Sequence, residues 1–157
     1  MLHSSRLLLL LALATSTVAG SGGAQVVDTA AFRTAEGVAI RGFDPVAYFL
    51  DGGPKAGSPA FTASYQGATW QFVSAEHRDL FVREPATYAP QYGGYCAFGV
   101  AGGYKAPISP DAWSVVDGKL YLNYNKGVQS KWKSDIPGYL VKSEANWPTV
   151  RTQKPRG

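Results

Sequence analysis

A chain of 157 residues with 45% hydrophobic and 13% aromatic content is long enough to bury one core, and its single cysteine excludes an intramolecular disulfide framework. The formal charge of +4 is carried by scattered residues, and only 17% of the chain is charged. That composition fits neither a disordered chain nor a basic stripe for nucleic acid.

Met1 to Ala24 reads as an export segment. Arg6 supplies the positive start, and Leu7 to Ala14 is an apolar run. That run is well short of the roughly 20 residues that span a bilayer. Small residues allow cleavage after Ala19 or after Ala24. Residues 1–24 are thus expected to be a signal peptide, 25–150 a single domain, and 151–157 a disordered tail. The mature protein is expected in the periplasm or outside the cell, with no stable membrane insertion, since no later segment is apolar enough.

Asp44 can cap a short helix reaching Leu50, with Pro45 at its first position and Asp51-Gly52-Gly53-Pro54 as its stop. Phe61 to Tyr65 and Ala68 to Val73 alternate as strands around Gln66-Gly67. Ser74 caps a helix from Ala75 to about Glu84, which Pro85 ends. Tyr88 to Gly103 is rich in glycine and aromatic residues and has room for one helical turn near Tyr95. After a loop over Pro107 to Asp111, Trp113 to Val116 and Lys119 to Tyr124 form a hairpin on Asp117-Gly118, a type I′ turn pair. Asn125 caps Lys126 to Lys133, and a last helix runs from Gly138 to about Trp147, ended by Pro148. The fold class expected is α+β, with small antiparallel hairpins packed on short helices. Hairpin-then-helix occurs twice, but no sequence identity makes it a repeat.

The segments Asp44-Pro45-Val46, Tyr65 to His77 and Phe81 to Tyr88 resemble the YHS domain, a family related to TRASH-type metal-binding modules and often attached to copper-transporting ATPases. The longer pattern through Gly93-Gly94-Tyr95-Cys96-Ala97 to Tyr124 resembles exported YHS domain-containing (seleno)proteins, some with selenocysteine at the position matching Cys96. The metal-binding members carry three cysteines where this chain has Ala47, Val73 and His77. Their three-thiolate site therefore does not transfer. What the resemblance implies is a pocket location with different chemistry in it.

Cys96 is the first candidate for that chemistry. A thiolate is both nucleophile and metal ligand, and a helix start lowers its pKa. Gly93-Gly94 would let backbone N–H groups approach it. His77 is the only histidine after the export segment and sits in the first turn of the helix capped by Ser74, where the neutral, metal-binding imidazole is favoured. A Cys–His pair suits Cu(I) better than structural zinc. The expectation is an exported YHS-like module that binds or traffics copper through Cys96 and His77, with a metal ion or metal-handling protein as partner. The alternatives are a thiol redox protein using Cys96 without metal, and a binding or structural module whose metal pocket has decayed. Enzyme readings are thinner: no third orienting group accompanies Cys96 and His77, and there is no Cys-x-x-Cys. A one-cysteine peroxidase or reductase stays open. Asp44 is expected to be a helix cap. Tyr48 and Tyr95 are expected in core or pocket wall, and Trp70, Trp113, Trp132 and Trp147 in packing.

Overall fold

The computed structural model describes residues 37–155, so the export segment lies outside the described residues. The architecture is α+β, as expected from the sequence. In chain order it comprises a 3-10 turn at Ile40–Gly42, α1 (Ala47–Leu50), β1 (Ser58–Tyr65), β2 (Ala68–Phe72), α2 (Ala75–Arg83) and α3 (Pro85–Tyr88). A second 3-10 turn at Tyr92–Gly94 follows, then α4 (Ala97–Ala101), β3 (Ser109–Val116), β4 (Lys119–Asn123), α5 (Lys126–Lys133) and α6 (Ile136–Val150). The strands form two separate antiparallel hairpins, β1-β2 and β3-β4.

Local chemistry accounts for most boundaries. The Ser74 hydroxyl accepts from the His77 N–H and starts α2; the Asn125 carboxamide accepts from the Val128 N–H and starts α5. Asp117 and Gly118, at φ 50° and 72°, make the left-handed pair of a type I′ turn. Of two expectations about proline, that for Pro85 holds and that for Pro148 needs correction. Pro85 ends α2 but opens the single turn α3, where its missing N–H costs nothing. Pro148 lies inside α6 instead of ending it. Its ring leaves the Glu144 carbonyl without a helical donor, but both residues are exposed, so water can serve that carbonyl. The helix starts earlier than expected because the Asp135 carboxylate accepts from the Gly138 N–H. Among the described residues no helix is long and apolar enough to cross a membrane.

The two hairpin-helix units are a structural repeat that the residue identities conceal. Both first strands have eight residues and both second strands five. The register breaks between Ser58 and Thr62 in one hairpin and between Ser109 and Trp113, each 51 positions later, in the other. Upstream, both 3-10 turns run through three successive left-handed residues: Ile40, Arg41 and Gly42, then Tyr92, Gly93 and Gly94. The backbone bonds match pair by pair. Ala39 N–H donates to Thr69 O at 2.8 Å, and Gln91 N–H to Leu120 O at 2.8 Å. Asp44 N–H donates to Lys55 O at 2.8 Å, and Cys96 N–H to Ala106 O at 3.1 Å.

Two hydrophobic cores result. Phe81 stands at the centre of the first, with its ring centroid 4.9 Å from Trp70, 5.2 Å from Phe72 and 5.7 Å from Tyr65. The second gathers Tyr92, Val100, Tyr121, Trp132 and Val150. Strand β4 serves both, because alternate side chains point to opposite faces: Leu120 and Leu122 enter the first core and Tyr121 the second. Phe81→Ala should cost about 3–5 kcal/mol in urea-induced unfolding, the range for emptying a buried aromatic site.

Candidate functional site

The first half of the repeat is organised on Asp44, which is fully buried. Its Oδ1 accepts from the N–H groups of Val46 at 2.8 Å and Ala47 at 3.3 Å, so the cap expected at α1 is present. Its Oδ2 accepts from Val73 N–H at 2.9 Å and pairs with His77 Nδ1 at 2.7 Å. Since the carboxylate can only accept, Nδ1 carries the proton in that bond. Ala47, Val73 and His77 thus do come together, on a carboxylate.

That arrangement overturns the copper expectation. His77 Nδ1 is held by Asp44, and His77 is not among the residues lining the pocket at Cys96. The Cys96 sulfur is held by different partners, Asn123 and Tyr124. Among the described residues no group of three or more His, Cys, Asp or Glu side chains is placed to hold a metal ion. The two residues expected as joint ligands, Cys96 and His77, occupy separate networks. A Cys/His copper-binding or trafficking module is not what this chain builds.

Cys96 immediately precedes α4, which starts two residues later than the turn expected near Tyr95, and is buried. Its thiol donates to Asn123 Oδ1 at 3.6 Å and accepts from Tyr124 N–H at 3.3 Å. The glycines upstream do not serve it; the Gly94 N–H is spent on Gln91 O. Burial pushes the thiol pKa above its usual value, and the backbone N–H groups of Gly99, Tyr124 and Phe98 only partly offset this. The lowered pKa expected from a helix start is therefore reversed, because desolvation of the sulfur outweighs its hydrogen bonds.

The repeat gives this site a counterpart. Cys96 occupies the place of Asp44, 52 positions earlier, since their N–H groups make the equivalent bonds to Ala106 and Lys55. Tyr124, the residue after β4, matches Val73 after β2. Phe98 and Gly99 match Val46 and Ala47, whose N–H groups bond the Asp44 carboxylate. Val128 stands at the His77 position, third in a helix with an equivalent cap. Where the first half closes its cradle with an imidazole, the second has an apolar side chain and a cavity.

That cavity has a volume of about 300 Å³ and is lined by Cys96, Phe98, Tyr104, Ala106, Pro107, Tyr124 and Val128. Tyr124 is 52% exposed and stands at its rim. Beside it, Asn123 is fully buried and uses only its Oδ1, which accepts from Phe98 N–H at 3.2 Å as well as from the thiol. Its Nδ2 has no hydrogen-bond partner. Lys105, also fully buried, lays its ammonium 5.0 Å from the centroid of the Tyr95 ring. Sequence reasoning missed Asn123, Val128 and Lys105. A polar residue ending the inward-facing run Leu120-Tyr121-Leu122 was the available signal for Asn123. No family model matches the chain, and no curated protein or solved structure matches it either.

Two outcomes follow for the two halves. Asp44→Ala removes the acceptor from four donors and should cost about 3–5 kcal/mol by denaturant titration, as expected for breaking a buried hydrogen-bond network. Alkylation of Cys96 by iodoacetamide, followed by mass spectrometry, should be slower than for a free thiol at pH 8. Its rate should keep rising with pH beyond the usual thiol range, because the reactive thiolate forms later; a plateau by about pH 10, where an ordinary thiol is already ionised, would contradict the raised pKa.

Proposed function

We propose that the protein is a binding module for a small, neutral, planar aromatic molecule held in the Cys96 pocket. The observation that carries this is the lining: three aromatic rings, three aliphatic side chains and a thiol, with no charged residue. A cavity of roughly 150 Å³ accepts benzene, so about 300 Å³ suits two fused rings. Rings of Phe98, Tyr104 and Tyr124 offer offset or edge-to-face contacts, and the thiol supplies a soft, polarisable floor. The module so described is exported and YHS-like, with an organic ligand in place of a metal.

Titration of the purified protein with 2-naphthol, followed by fluorescence, tests this. Saturable binding with a dissociation constant of about 10–100 μM is expected for a ligand of this size. Ala106→Trp, which fills the pocket, should weaken binding at least about tenfold, the equivalent of 1.4 kcal/mol. Absence of saturation, or unchanged binding by Ala106→Trp, defeats the proposal.

A further inference from the structure

We propose that Cys96 is a site of oxidation by hydroperoxides, and that its backbone cradle holds the resulting sulfinate as the equivalent cradle holds the Asp44 carboxylate. The first ground is the repeat. A cysteine sulfinate, Cβ–SO₂⁻, carries the charge and the two acceptor oxygens of an aspartate carboxylate, Cβ–CO₂⁻, on a pyramidal centre in place of a planar one. In the first half, N–H groups of Val46, Ala47 and Val73 converge on Asp44. Of the corresponding N–H groups, that of Tyr124 donates to the Cys96 sulfur at 3.3 Å, while those of Phe98 and Gly99 act to lower the thiol pKa and the Phe98 N–H donates to Asn123 Oδ1.

The second ground is independent of the first. Asn123 Nδ2 is a donor in a fully buried side chain and has nothing to donate to. Its carboxamide is turned toward the sulfur, since Oδ1 accepts from the thiol and from Phe98 N–H. A buried unpaired donor in a native fold calls for an acceptor. Oδ1 is the atom that now faces the sulfur, so an oxygen there is met by a donor once the carboxamide turns over, which brings Nδ2 to that oxygen and frees the Phe98 N–H for the cradle.

The chemistry balances as two like steps. The thiolate attacks the distal oxygen of a hydroperoxide, ROOH, where R is hydrogen or a small apolar group. An S–O bond forms, the O–O bond breaks, and ROH leaves with the proton that the thiol gave up. Sulfur loses two electrons and the peroxide gains them, leaving Cys–SOH. A second hydroperoxide repeats the transfer on that sulfur, and the product ionises to the sulfinate. The chain has no second cysteine to divert the sulfenic acid into an internal disulfide. Entry of an organic hydroperoxide rests on the aromatic-ligand pocket proposed above; hydrogen peroxide does not need it.

The full mature chain, reduced and then treated with cumene hydroperoxide or hydrogen peroxide, should gain two oxygen atoms at Cys96 by peptide mass spectrometry and stop there. Its melting temperature should not fall on oxidation. Cys96→Asp should fold and, at pH 7, melt about 5 °C or more above Cys96→Asn. That lead should vanish as pH falls through the carboxylate range, because a cradle of donors favours the ionised form. The proposal is overturned if oxidation runs on to the sulfonate, if Cys96 stays reduced while the unfolded chain reacts, if the oxidised protein melts lower, or if Cys96→Asp melts below Cys96→Asn. Should 2-naphthol fail to bind while hydrogen peroxide still yields the sulfinate, only the aromatic-ligand proposal falls. Binding of 2-naphthol without sulfinate defeats only the oxidation.

Discussion

A single carboxylate with four donors holds the first half of this molecule in register. Asp44 ties the start of α1, the end of β2 and the first turn of α2 to one buried point. A carboxylate taken out of water is costly unless its lone pairs are filled, and here both oxygens are filled from three elements far apart in sequence. Short helices and a two-stranded hairpin are marginal alone. The carboxylate converts their separate weak preferences into one geometry.

The second half keeps the frame and changes the occupant. The bulged first strand, the left-handed turn, the helix cap and the crossing backbone bonds all recur. Asp44 gives way to Cys96, and His77 to Val128. The first exchange puts a weaker acceptor among the same N–H donors; the second removes a donor and leaves apolar walls. One half is therefore filled and structural. The other is open, with a thiol at its base and an unmatched amide beside it. Two copies of one backbone plan have been given different chemical duties through two side chains.

What the sequence disclosed was whatever short-range chemistry controls. Ser74, Asn125 and Asp117-Gly118 act within three residues of themselves, so both hairpins and the helices after them were legible from the residues alone. The reach of Asp44 to Val73 and His77 crosses about thirty positions and left no local sign beyond the helix cap. The repeat was visible only as hairpin-then-helix twice, because it resides in backbone bonds whose side chains differ. The pairing of Cys96 with His77 failed for the same reason: each belongs to its own half. The acidity of Cys96 was misjudged because proximity to a helix start is readable in sequence and burial is not. Pro148 misled because a proline on the wet side of a final turn breaks nothing that water cannot mend.

Strand β4 carries a consequence for how the chain comes apart. Four of its five residues are buried, with Leu120 and Leu122 in one core and Tyr121 in the other. Neither half can open without exposing a face of this strand, so the halves melt together despite their separate hairpins. The Gln91 N–H bonded to Leu120 O ties the turn before the Cys96 site to this shared strand. The Cys96 cradle leans on that same strand through its bridge to Leu122. A chemically open pocket thus rests on a strand buried in both cores.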